Sequence, residues 1–399
     1  LGAAGSGAAG IVAVAGAINV SVNEGSTRAV AGGDGIDTMV VLSGDMNVSA
    51  RSVDEQTSFV VGGAAAVGGG GATAAMLNLS VLLSDTIASV NGLTGSMRDL
   101  TVAASNRTVL LPVTGGLALS PGWFGIGAAA NVMLTKGTVA AEILNSAFTA
   151  AGAVEVTAEG ERSIDMITGT AGVGGSTGIG AAIGIIVAGI DMSDDAAAEL
   201  HGTLAAANAQ ANQDVDSQFV EDDTPGRYDA TGDTRKDVVA SALDSSKRDS
   251  VRARIANTTM TAGATSVVAS SAIETTNLAV GAGVGGTAGV GAALGFTFVN
   301  QDVSATADGD LTVSSLAVKA LSGAPGADPA IRVQSYAGAG SLAGALGAAV
   351  AVGELDSDVT ARIGGSVTAT GGAVTVEAED DLAVETEAVG ATAAGGVAI

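Results

Sequence analysis

The sequence contains no cysteine, one histidine, one tryptophan, five prolines and only 2% aromatic residues in 399 positions. Without cysteine there is no disulfide framework, no zinc-thiolate site and no thiol nucleophile. His201, the single histidine, has no visible partner for a catalytic triad. The shortage of rings excludes a wide globular core built around large aromatic side chains. Basic residues are also scarce: 16 Lys and Arg stand against 41 Asp and Glu, giving a net charge of −25. That balance opposes binding to nucleic acid or to an anionic lipid surface. In place of these residues the chain has 60 glycines and a hydrophobic fraction of 47%. Ala, Val, Ile and Leu can fill a narrow core in thin stacked layers.

An internal repeat organises the chain, and such repeats are sought first because they decide the fold. The phrase V-x-V-x-A recurs in copies ending at Ala50, Ala104, Ala158, Ser270, Ala320 and Ala378, at spacings of 54, 54, 112, 50 and 58 residues. A looser alternating phrase precedes it, so that "TVAAEILNSAFTAAGAVEVTA" aligns with "DVTARIGGSVTATGGAVTVEA". Uncharged Gly/Ala runs follow it, at 56–84, 108–135, 166–190, 275–301 and 333–353. A hydropathy window reads these runs as membrane helices, but their glycine density disfavours helix by up to about 1 kcal/mol per glycine. They also lack flanking basic loops and aromatic belts. Their second halves alternate with a period of two. In "IVAVAGAINVSV", Val12, Val14, Ile18, Val20 and Val22 share one face, and Ala13, Ala15, Ala17, Asn19 and Ser21 the other.

A repeat of three or four strands cannot close a core alone, but stacked copies can. The expectation is therefore an all-β chain, a parallel β-solenoid of about 54-residue repeats with one charged, partly helical insertion. With coils of roughly 18 to 27 residues and about 4.8 Å per coil, it predicts a rod of roughly 60 to 95 Å. The small-residue strand face lets another backbone approach, either inside the coil or between neighbouring molecules. Residues 1–194 and 251–399 carry the repeats. Residues 195–250 hold 12 acidic and 5 basic residues, the histidine and two helix-like stretches around "EDDTPGRYDATGD", and read as an outgrowth on the rod. The opening "LGAAGSGAAG" lies within a Gly/Ala run and reads as part of something longer.

Motifs that carry chemistry are few. "GGDGIDTMV" at 32–40 fits the nonapeptide of calcium-binding solenoid repeats in a single copy, which makes Asp34 and Asp37 calcium-ligand candidates. Oxygen-rich acid clusters also bind calcium weakly, which adds Asp222 and Asp223 in "VEDDT"; "VEAEDD" at 376–381 reads as solvated turn acids. "GSGAAG" and "GAGVGG" match a dinucleotide-binding pattern, but no strand–helix unit with a downstream acid accompanies them. Asn19, Asn78 and Asn131 occupy related places and could stack, with the series broken near Ile186 and Thr297. Trp123 sits in a loop expected to pack on its own rod. No grouped acids with adjacent basic residues and sugar-binding rings are present, so the residues do not read as an enzyme.

"INV" or "LNL" after a Gly/Ala run, followed by "DVTARIGGSVTATGGAVTVEAED", resembles the repeats of giant bacterial surface proteins, the filamentous-haemagglutinin-like adhesins and the repetitive region of the fusobacterial leukotoxin. The resemblance covers the chain outside 195–250. It implies a β-helical segment of an extracellular, cell-surface fibre or adhesin stalk, and it supplies no catalytic residues. The partners expected are neighbouring repeats or further copies of the chain, and a host, cell or glycan surface, with no nucleic acid and no transmembrane insertion. The alternative is a ligand- or partner-binding module that uses the 195–250 insertion, with calcium as its cofactor.

Overall fold

In a computed structural model, residues 2–8, 12–33, 38–189, 249–323 and 329–398 are described. Among them every regular element is a β-strand, and every strand pairing is parallel. One inward row shows the stacking: Gly2, Val60, Thr114, Thr168, Ala279, Ser335 and Ala388 are successive ladder partners. The protein is a parallel β-solenoid.

Each coil is much larger than the sequence expectation. Leu100 pairs with Met46 on one side and Val154 on the other, so a whole repeat makes a single turn of the solenoid. In the third coil an outgoing arm, Leu100–Ser120, runs to a tip turn at 121–123. A returning arm, Phe124–Leu144, runs back, and a short base strand, Ala147–Ala150, closes the third side. An arm of 21 residues is roughly 70 Å long at about 3.3 Å per residue, whereas six steps of about 4.8 Å give only about 30 Å along the axis. The shape is a broad tapering blade rather than a thin rod. Periodicity sets strand spacing but says nothing about where the chain turns, and the tip turns share no one signature, with Pro121, Gly122 and Trp123 in the third coil and Leu342 and Ala343 in the sixth.

The taper explains the composition. At the base, three sides enclose a core in which Val48, Val102, Val156, Val267 and Val318 stack beside Leu93, Met97, Phe148, Met260 and Leu311. The repeated phrase supplies this core. Its fourth copy is set one residue earlier than the sequence alignment places it, with Ala269 rather than Ser270 in the alanine row. Between the returning arm and the base strand, Asn145 and Asn257 adopt φ values of 48° and 50° and Gly92 one of 68°. This left-handed corner favours Gly and Asn over other residues. Further out only the two arms remain, and they converge on Leu82, Leu110, Met133, Ile164, Met166 and Ile186. Beyond these the inward residues are alanines such as Ala182, Ala279, Ala293 and Ala337.

At the tip, backbone meets backbone. A Cβ added to Gly281 would overlap the Ala292 carbonyl oxygen, and one on Gly180 would overlap that of Ala282. The small-residue face therefore lies inside the coil. Ala13 and Ala15 are buried, while Val12, Val14 and Ile18 point outward and are 51%, 64% and 56% exposed. The glycines of "GAGVGG" serve this close approach of the arms. Among the described residues no helix is long and apolar enough to cross a membrane.

Candidate functional site

The distinctive chemistry lies inside the blade, in a polar seam between the base core and the arm core. It runs along the axis where the row Ser84, Gly137, Asp249, Gln301, Ser357 of the returning arms faces the outgoing arms. At one end, Asp54 Oδ2 accepts hydrogen bonds from Ser84 Oγ at 2.6 Å and Asn106 Nδ2 at 2.9 Å. At the other end, Ser271 Oγ donates to Gln301 Oε1 at 2.8 Å, and Gln301 Nε2 donates to Ser322 Oγ at 2.6 Å and Ser357 Oγ at 3.0 Å. A buried amide or carboxylate needs such partners because leaving it unpaired costs about 1–3 kcal/mol.

Between these two ends sits an ion pair. Arg162 projects inward from the outgoing arm Val154–Gly174 and its Nη1 binds Asp249 Oδ2; the two side chains are 15% and 8% exposed. Asp249 Oδ1 also accepts the Gly137 N–H at 2.6 Å. Glycine at 160, two residues before Arg162 on the same inward face, leaves space that a Cβ would contest with Val251. The pair stands where the returning arm is interrupted. Ala188 pairs with Thr135 and Ser250 with Thr138, so residues three apart in one coil face residues 62 apart in the next. Asp249 and Ser250, read from sequence as the end of the insertion, are strand residues.

A cavity of about 40 Å³ adjoins the pair, lined by Ser84, Asn106, Thr135, Arg162, Asp249 and Gln301 among others. That volume suits a water molecule and lies far below the roughly 300–1,000 Å³ of small-molecule sites. Among the described residues no three His, Cys, Asp or Glu side chains converge as a metal site. The calcium candidates Asp34, Asp37, Asp222 and Asp223, the helix-like stretches of the insertion and His201 all lie outside the described residues. Chemically, the seam can position and lock the two arms.

The inward position of Arg162 is legible in the sequence. In "VEVTAEGERSIDM" the inward period runs Val154, Val156, Ala158, Gly160, Arg162, Ile164, and an arginine on that face demands a carboxylate from elsewhere. The asparagine series does form a ladder over three coils: Asn19 Nδ2 donates to Asn78 Oδ1 at 2.8 Å, and Asn78 Nδ2 to Asn131 Oδ1 at 2.9 Å. It stops at Gly184, the ladder partner of Asn131, rather than at Ile186. Asn277 then reaches across from the outgoing arm, donating to the carbonyl oxygens of Gly184 at 3.1 Å and Phe296 at 2.9 Å.

The outer surface of the base half and of the last two coils carries charges paired one coil apart. Arg107 binds Glu161 at 3.2 Å, Lys319 binds Glu377 at 2.6 Å, and Arg332 binds Glu385 at 3.2 Å. Arg98 binds Asp45 at 2.5 Å; hydrogen bonding from its guanidinium lowers the Asp45 carboxyl below its ordinary range, and Arg98 is raised in return. Tyr336 Oη donates to Glu387 at 2.8 Å, and this hydrogen bond, ahead of desolvation and the Glu387 charge, raises the phenol pKa. Trp123, expected to pack against its own solenoid, is 72% exposed at the tip, although its backbone is tied to Gly70 and Thr177.

The fold and its interior define a class, the parallel β-solenoid repeat proteins. No family model, curated protein or solved structure matches the chain.

Proposed function

We propose that this chain is a structural segment of an extracellular, cell-surface fibre or adhesin stalk. The observation that carries the proposal is the parallel ladder: among the described residues each coil pairs with the next along most of its path from Gly2 to Ala398, with one register shift at Ile255/Thr258. Its interior polar groups are largely spent on neighbouring coils rather than on a ligand cavity. A stalk under tension needs this, since stability in a solenoid is the sum of coil-to-coil interfaces. The resemblance to giant bacterial surface proteins supports the same reading.

Electron cryo-microscopy of surface material from cells producing the protein tests this. The stalk reading expects surface-attached filaments with an axial repeat of about 4.8 Å, and removal of 195–247, which spares Asp249 and Ser250, should leave them intact. Loss of attachment alone on that deletion, with calcium-dependent capture of a partner by the intact chain, would support the binding-module reading instead. Retention of the protein inside the cell would overturn both.

A further inference from the structure

The charge of this acidic protein is not spread evenly, and one broad surface has none. On the outer face of the returning arms, the four outward rows nearest the tip begin with Val12, Val14, Gly16 and Ile18 in the first coil. They end with Gly344, Leu346, Ala348 and Val350 in the sixth. Every one of these positions is uncharged. Val12, Val14, Ile18, Leu346 and Val350 are all among the exposed large hydrophobic residues. The third row, Gly16, Ala75, Ala128, Ala181, Ala292 and Ala348, forms a shallow groove along the axis between two aliphatic ridges.

Four rows at about 6.6 Å and six coils at about 4.8 Å make a face of roughly 27 by 29 Å, or about 770 Å². Largest apolar patches on monomers run to about 300–600 Å², and a standard protein interface takes about 800 Å² from each partner. The opposite face of the blade also exposes aliphatic residues near the tip, Val61, Leu117, Leu119, Val173, Val280 and Val284 among them, but it carries polar and charged groups as well. Its outgoing arms place Asp165, Arg332, Gln334, Glu385 and Glu387 on the outside of the same half. A blade pushed into a bilayer would have to bury those groups as well, at a cost of several kcal/mol for unsatisfied polar groups. The returning face, of dimer size and free of charge across all six coils, fits a flat apolar partner.

We propose that two copies of this chain pair face to face through the outer surface of their returning arms, the ridge of one seated beside the alanine groove of the other about a two-fold axis. Such an interface is self-complementary and closes at two copies, and it places Ala181 and Ala128 near the axis. The pairing does not depend on the stalk reading.

The test uses the full chain in solution. Sedimentation velocity should give twice the chain mass, with a dissociation constant in the micromolar range or tighter, as standard-size interfaces show. Because the chain has no cysteine, A181C supplies a unique site, and a short bis-maleimide should join two copies through it. V280C, on the other face, should remain unjoined. I183E should shift the equilibrium to monomer with an unchanged circular dichroism spectrum; if I183E does not fold, the two cysteine variants still decide. A monomer at about 100 μM, well above that range, would overturn the proposal. So would cross-linking through V280C in place of A181C, or growth beyond two copies. Monomers that float with phosphatidylcholine vesicles would assign the face to lipid and overturn it equally.

Discussion

Removing the carboxylate of Asp249 isolates the energetic role of the seam. In Asp249→Ala, the Arg162 guanidinium stays in a site where its side chain is 15% exposed and loses its only ion-pair partner among the described residues. Its Nε already lacks a hydrogen-bond partner there. Breaking a buried pair from one side costs about 3–5 kcal/mol, and the Gly137 N–H would add an unpaired donor worth about 1–3 kcal/mol. The neighbouring cavity, about 40 Å³, can admit a water to the exposed charge, which sets the expectation near 3 kcal/mol. Domains are stable by only about 5–15 kcal/mol, so the loss should be plain in urea denaturation followed by circular dichroism. Hydrogen exchange should accelerate first in the coils around Val154–Gly174, because solenoid stability is local. The double variant Arg162→Met, Asp249→Leu replaces the pair with apolar groups and should recover the loss, since such replacements are neutral or stabilising by about 1–4 kcal/mol. A single variant costing less than about 1 kcal/mol, or a double variant no better than the single, would refute the assignment of the pair as a buried lock.

Three further outcomes follow from the same geometry. Gly281→Ala should destabilise by about 1–3 kcal/mol or more through overpacking against the Ala292 carbonyl. Gly169→Ala, where a Cβ meets nothing within 4 Å, should be neutral or stabilising by up to about 1 kcal/mol; equal effects on thermal midpoints would contradict the inward parity of the tip. Val156→Asp buries a carboxylate in a fully covered row and should cost at least about 3 kcal/mol, whereas Val376→Asp, 50% exposed at the end of the same row, should cost about 1 kcal/mol or less by chemical denaturation. In a Tyr228→Phe background, ultraviolet titration should find Tyr336 deprotonating above its ordinary value, and Glu387→Gln should lower it. Because the folded-state value is raised, the contribution of this hydrogen bond is complete below about pH 10 and is lost as pH rises through the folded value.

The sequence by itself determined the kind of protein. Period-two alternation, the V-x-V-x-A phrase and too few rings for a wide core leave stacked parallel strands as the way to bury the aliphatic residues, and the base core of Val102, Val156 and Val267 follows the phrase almost to the residue. The small face of "AVAGAIN" was also readable as a place of close approach. What only the tertiary structure decided is which partner approaches and how far the chain travels before it turns. A repeat of fifty-odd residues is compatible with two or three small coils or one large one, because hydrogen-bonded strands look alike locally whatever their length. Ladder pairing between residues one full repeat apart settles it, and with it the taper from Val to Ala to Gly. The Arg162–Asp249 pair was half legible: parity places the arginine inside, but its partner is 87 residues away. Spacing within one arm cannot find a residue that only the folded return of the other arm brings opposite.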